Sequence, residues 1–313
     1  MQPAKMLRLL SLLLFLAMAC FQSSAVVYKQ TNMPNLRVNS ITQDSLGFIW
    51  CATPNGLCRN LGTSFQVFLS EKDNPASLPS SNIQSLMYSH PDIWIATSRG
   101  VASKNIYKNV FERYVADDNE TTCYFNGFLC HKESILAYGS CGLYKVNKKD
   151  KRLHLLCKFP YGEIITAICD SRDSIWLITG NMLICLGNNY KVSGKYQLPA
   201  DLNVTSIAAY HNKILIGTGC GLWEFDSKSG SLSKALSGKM SSDIEIHSLL
   251  LVDDETLFVS TRKHGELICD MNTGEVSSSN NMYKLTGLPS SDIMSSFIGN
   301  ILNSFKNAHL NIL

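Results

Sequence analysis

A large apolar residue recurs at Trp50, Trp94, Leu136, Trp176, Leu215 and Phe258, at spacings of 44, 42, 40, 39 and 43 residues. Each sits in the same local pattern: a polar turn, an apolar run, a small-residue turn and a second apolar run. The first copy reads Asp44-Ser-Leu-Gly-Phe-Ile-Trp50-Cys-Ala-Thr-Pro-Asn-Gly56-Leu57, and the fifth reads Asn212-Lys-Ile-Leu215-Ile-Gly-Thr-Gly-Cys-Gly221-Leu222. A period of this kind decides the architecture before any other property of the chain does.

Each copy holds four short β-rich runs, which in the first are 38–43, 48–53, 56–60 and 65–69, separated by Gly, Asn, Asp and Ser. Four strands in about forty residues make one blade of a β-propeller, whereas helical repeats of that length need long runs of 3.6 periodicity. The expected fold is therefore all-β, a seven-bladed propeller. Its blades fall at about 38–70, 80–116, 120–158, 162–198, 202–236 and 243–283. A seventh begins at 288–313, where Gly287-Leu-Pro-Ser-Ser-Asp-Ile293 echoes Ser77-Leu-Pro-Ser-Ser-Asn-Ile83, but the pattern decays after Leu302. The N-terminal strand at 26–31 is expected to complete it. The six recurring apolar residues are the structural anchors of their blades.

The chain opens with Lys5 and Arg8, then an apolar stretch over 9–19 broken only by Ser11, then Ser23-Ser24-Ala25. These are the charged, apolar and small-residue regions of a secretory signal over 1–25, with the propeller domain at 26–313. The string Ala17-Met18-Ala19-Cys20 offers a looser site for lipid attachment at Cys20, against which the bulky Met18 argues. Formal charge is +3 for the whole sequence and +1 once Lys5 and Arg8 are removed. That balance excludes nucleic acid as a partner identified by bulk charge. A charged fraction of 17% against 45% apolar residues excludes a disordered chain.

Ten cysteines follow Cys20, with no Cys-x-x-Cys pair, and most lie inside apolar runs. Buried thiols acting as small hydrophobes are expected rather than a metal site. In an oxidising compartment one or two disulfides can form, and Cys123–Cys130 and Cys51–Cys58 are the nearest pairs in sequence. His90, His131 and His211 occupy one repeat position, just before the second strand, which argues for a turn role and against a shared metal. No catalytic constellation is visible, so no catalytic residue, metal or cofactor is expected.

The repeats resemble the two-component regulator propeller repeat, Asp-x-x-Gly-x-Ile/Leu-Trp-Ile-Gly-Thr-x-x-Gly-Leu. Residues 44–57 match it nearly throughout, with Cys51-Ala52 as the departure, and 92–101 and 213–222 match in part. With the export signal, the chain resembles the start of a periplasmic sensor in a Bacteroides-type hybrid two-component system. The resemblance implies oligosaccharide recognition in the periplasm, and partners in the remainder of a sensor histidine kinase or in a second copy of the chain. On this reading the chain is a truncated piece with no output module and is not itself an enzyme. A secreted propeller lyase or hydrolase is the alternative, and a plain protein-interaction propeller is another.

Binding residues of a propeller gather on the turns between second and third strands, which open beside the central channel. Most of these turns carry small residues. The exceptions are Arg99 in the second copy and Arg262, Lys263 and His264 in the sixth. These four are the candidate ligand-binding residues, and their charge favours an acidic oligosaccharide.

Overall fold

The computed structural model describes residues 33–278, apart from 36, 63, 109, 118–122, 160–163, 172 and 242. The first sheet holds β1 (Ser40–Gln43), β2 (Ile49–Thr53), β3 (Gly56–Asn60) and β4 (Phe65–Phe68). The second holds β5 (Ile83–Ser89), β6 (Asp92–Thr97), β7 (Gly100–Asn105) and β8 (Phe111–Ala116). The third is β9 (Phe125–His131), β10 (Ser134–Gly139), β11 (Gly142–Asn147) and β12 (Arg152–Cys157). The fourth is β13 (Ile165–Ser171), β14 (Ser174–Thr179), β15 (Met182–Leu186) and β16 (Val192–Gln197). The fifth comprises β17 (Val204–Tyr210), β18 (Lys213–Thr218), β19 (Gly221–Asp226) and β20 (Leu232–Lys234). The sixth comprises β21 (Ile246–Leu251), β22 (Thr256–Thr261), β23 (Glu266–Asp270) and β24 (Val276–Ser278). The sole helical element among the described residues is a three-residue 3-10 turn, Ala200–Leu202.

Within each sheet the strands follow in chain order and pair antiparallel. The outer strands of the second and third sheets also pair, in parallel, through Arg152 with Val115 and Leu153 with Ala116. The first strands β1, β5, β9, β13, β17 and β21 all line one central cavity. Sheets set radially around a shared channel make a β-propeller. The proposed seventh blade, at 26–31 and 288–313, lies outside the described residues.

The anchors explain why the sheets stack in order. Strand alternation sends successive side chains to opposite faces, and each anchor points forward to the next sheet. Trp50 is buried against Ile83, Ile93 and Ile95 of the second sheet. Trp94 meets Phe125, Ile135 and Tyr144 of the third. Leu136 packs on Ile165, Ile175 and Leu177 of the fourth, Trp176 on Ile214, Ile216 and Phe225 of the fifth, and Leu215 on Ile246, Leu257 and Val259 of the sixth. Phe258 differs only in burial: its neighbours Leu257 and Val259 face the fifth sheet, so it points forward like the other anchors, and it is half-buried.

Side chains also clasp the seams near the channel. Asn39 Nδ2 donates to the Ile83 carbonyl at 2.7 Å, Asn126 Nδ2 to that of Ile165 at 2.7 Å, and Thr205 Oγ1 to that of Ile246 at 2.8 Å. Each bond ties the first strand of one sheet, or the residue just before it, to the first strand of the next.

The leading Asp of the first repeat has a defined task. Asp44 is buried; its Oδ1 accepts the Leu46 and Phe48 amides at 3.0 Å each, and its Oδ2 accepts Trp50 Nε1 at 2.8 Å. One carboxylate thus closes the turn and fixes the anchor's ring.

The nearest-in-sequence disulfide pairs are not the ones formed. Cys123 bonds Cys141, while Cys51, Cys58 and Cys130 remain thiols. Cys123 lies just before β9, and Cys130 sits near the strand's far end, about 23 Å away at strand rise. Cys141, in the β10–β11 turn, comes back to the same end as Cys123. Cys51 and Cys58 face each other across β2 and β3, and burial pushes the first to about 12 and the second to about 11.

Two outcomes follow for stability. Asp44→Ala strands a buried indole N–H and two amides and is expected to cost about 2 kcal/mol in chemical denaturation, with Asp44→Asn costing less. Cys141→Ser opens a loop of 18 residues and is expected to lower unfolding free energy by about 3 kcal/mol under non-reducing conditions.

Candidate functional site

In the first, second and fifth sheets the turns between second and third strands share one construction. In the first sheet Thr53 Oγ1 donates to the Gly56 carbonyl at 2.8 Å and accepts the Asn55 amide at 3.2 Å. Thr97 with Gly100 and Arg99, and Thr218 with Gly221 and Cys220, repeat it. The glycine is required: Gly56 and Gly100 have φ of 139° and 143°, and a Cβ at Gly56 would meet Leu69 at 2.9 Å.

These turns all open on one face. Those of the second, third and sixth sheets bond to the link that enters their own sheet: Ser98 N to Asn82 O at 3.0 Å, Ser140 N to Tyr124 O at 2.9 Å and Arg262 N to Glu245 O at 3.0 Å. The links therefore lie at the same end as the turns, and this end is one mouth of the central channel; the cavity lies toward the other end, since residues 85–88, 128–130, 168–170, 207–209 and 249–251 come from the later halves of their strands. The cavity measures about 500 Å³ and is lined by Ser40, Ser85, Cys130, Asp170, Ala208 and Leu249, among others from the six first strands.

Arg99 sits at the tip of the β6–β7 turn, exposed, beside the link that carries Pro79 and Ser80. Arg262, Lys263 and His264 form the β22–β23 turn and are all exposed. Arg262 Nη1 reaches Glu245 Oε1 at 3.0 Å, so part of its charge is balanced. The fold unites these three on one turn and sets Arg99 apart on the second sheet, across the channel that both sheets line.

The sixth turn keeps this base with one residue more: Thr261 Oγ1 donates to the Gly265 carbonyl at 2.7 Å and accepts the His264 amide at 2.9 Å. Glu266, paired with Ser260, then stands where Leu57 pairs with Ala52. Glu266 is buried, and burial pushes its carboxyl up to about 7. Below that pH it is neutral and does not offset the cations above it.

Sequence reading missed the residues of the channel and its lower end. His131, expected in a turn role, is buried, and its Nδ1 lies 2.8 Å from Asp170 Oδ1 of the fourth sheet. Asp170 and Cys130 both line the cavity. Burial, then the Asp170 and Glu133 charges, push the Cys130 thiol above its usual range, which opposes thiolate chemistry there. His90 bonds Tyr88 OH at 2.9 Å, and His211 adopts a left-handed φ of 52°. Among the described residues no cluster of three His, Cys, Asp or Glu side chains could hold a metal. Trp50, Trp94 and Trp176 are buried in the seams and expose no ring face.

No protein-family model matches the sequence, and none of the curated proteins does. Solved structures do. The chain is similar to the extracellular domain of a protein described as a hybrid two component system from B. thetaiotaomicron. The TM-score is 0.62 at 21% identity, over 79% of this chain and 35% of that one. It is similar to the extracellular domain of a one component system from the same organism, with TM-score 0.57, 17% identity, and 83% and 37% covered. Virginiamycin B lyase from Staphylococcus aureus gives TM-score 0.57 at 12% identity, with 79% and 86% covered. At these identities the likeness is one of fold, and the shared fold is the propeller. The chain spans about a third of the length of the two B. thetaiotaomicron structures.

The buried Glu266 sets a pH dependence whose sign can be worked out. Its folded pKa lies above its ordinary value of 4.5, so the native state holds a proton that the unfolded chain releases. Its contribution is full below about pH 4.5 and is lost as pH rises through about 7. Melting temperature is expected to fall across that window in the wild type and to flatten in Glu266→Gln. An unchanged slope in the variant would contradict the assignment.

Proposed function

We propose that this chain is an exported ligand-sensing propeller of a two-component system, acting in the periplasm, and that it recognises an acidic oligosaccharide. The observation that carries the ligand class is the placement of Arg99 and the Arg262-Lys263-His264 turn on one face of the propeller, at one mouth of its channel. Guanidinium groups pair bidentately with carboxylate or sulfate, while Lys and His supply point charges. The two basic turns belong to different sheets on either side of the opening, which suits a chain of several sugars better than one.

Support for the sensor role comes from the Asp-Gly-Trp repeat pattern and from the likeness to two extracellular domains of B. thetaiotaomicron systems. On this reading the half-buried Phe258 packs forward on a seventh blade, as the five earlier anchors pack on their successors. The signal would then pass to the remainder of a sensor kinase, or to a second copy of the chain. Turnover is not needed for such a role.

The likeness to virginiamycin B lyase favours a second reading, a propeller lyase working at the same mouth. A uronide-cleavage assay separates the two: the sensor reading expects binding without product.

Calorimetry with matched neutral and acidic oligosaccharides tests the proposal. The acidic sugar is expected to bind more tightly, and Arg99→Ala/Arg262→Ala to weaken it by about tenfold or more. Equal binding of both sugars, or no loss in the double variant, would refute it.

A further inference from the structure

The opposite face of the propeller carries a second concentration of positive charge. In the first three sheets the far end of the third strand holds a cation: Arg59 in β3, Lys104 in β7 and Lys145 in β11. The turns that follow add Lys108 and Lys149, both exposed. None of these five has an ion-pair partner among the described residues. Neighbouring cations do: Lys148 meets Asp92 at 2.9 Å, Lys151 meets Glu112 at 3.3 Å, and Arg152 and His154 share Asp117.

Arg59 is the sharpest case. Its guanidinium lies over Phe48 and Trp50, 4.8 and 5.4 Å from their centroids, and its Nε is buried with no hydrogen-bond acceptor. Behind it Lys104, 2% exposed, sits 5.1 and 4.9 Å from the Phe68 and Phe111 centroids and gives one bond to the Lys108 carbonyl. Burial and the Arg59 charge lower its pKa to about 8. Two cations are thus held together beside aromatic rings with no carboxylate between them, an arrangement that a bound anion would relieve.

The third strands of the fifth and sixth sheets end in the other sign. The corresponding ends carry Glu224 and Asp226 in β19 and Asp270 in β23. A flat anionic membrane would meet both halves at once and be repelled by one. A chain following the first three sheets meets the five cations that have no ion-pair partner among the described residues. Tyr107, 64% exposed beside Lys108, adds an aromatic face on which a sugar ring can stack.

We infer that the rim at the far ends of the third strands in sheets one to three is a docking surface for an acidic polysaccharide, distinct from the mouth. The sugar class rests on the proposed function; the surface itself does not. It would hold a long polymer at the propeller while the mouth reads a shorter piece.

The exported chain is titrated with chondroitin sulfate, polygalacturonate, neutral dextran, poly-L-glutamate and phosphatidylglycerol vesicles at low and moderate salt. Chondroitin sulfate or polygalacturonate is expected to bind in a salt-dependent manner and dextran not at all. Lys108→Gln/Lys145→Gln/Lys149→Gln, three exposed positions, is expected to weaken polymer binding by about tenfold, and Arg59→Gln to weaken it further. Arg99→Ala/Arg262→Ala should leave rim binding unchanged, so failure of the mouth proposal and failure of this one are separable. Equal polymer affinity in the triple variant overturns the inference. So does tighter binding of poly-L-glutamate or of the vesicles than of either polysaccharide.

Discussion

A four-stranded sheet of about twenty residues cannot bury enough apolar surface to stand alone. Here that limit is met by the forward-pointing residue of each second strand, which is buried in the face of the following sheet. Trp50, Trp94, Leu136, Trp176 and Leu215 all do this, and four of the five are fully or almost fully excluded from water. The seam, rather than the sheet, is the unit of stability. The Asn39, Asn126 and Thr205 clasps act on the same seams near the channel, where neighbouring first strands share no ladder of their own.

That construction separates scaffold from function. Seams absorb the large side chains, so the turns at the mouth are free to vary as long as Thr and Gly hold their backbone. Variation appears in the second and sixth sheets, as Arg99 and as the lengthened Arg262-Lys263-His264 turn over a buried Glu266. At the other end, the third strands of the first three sheets finish in cations and those of the fifth and sixth in carboxylates. A nearly neutral protein is in this way locally polarised, with basic groups at the mouth and along half of the opposite rim.

What could be read from the sequence is what repeats. Strand positions, anchors and the mouth turns recur at a fixed period, and the described sheets fall where alternating apolar runs and Gly turns predict. What escaped was set by pairs brought together only when the sheets stack. His131 meets Asp170 from 39 residues away and Asn39 meets Ile83 from 44, distances at which no local pattern singles out a partner. Cys123 finds Cys141 because a hairpin reverses the chain, a relation that proximity in sequence disguised. The basic rim was open to reading, since Arg59, Lys104 and Lys145 stand about one repeat apart. It was overlooked because a cation near a strand end ordinarily reads as solvated charge. Only the buried Arg59 Nε and the aromatic box around Lys104 distinguish it.

Hydrogen exchange on the chain tests most directly whether the seams carry the structure. If they do, amides of β2, β6, β10, β14 and β18 are protected together and exchange with one common free energy, since opening any seam exposes the anchors on both sides. Separate, widely spread opening energies for individual sheets would mean that each blade is stable by itself, and the account of forward packing would be wrong.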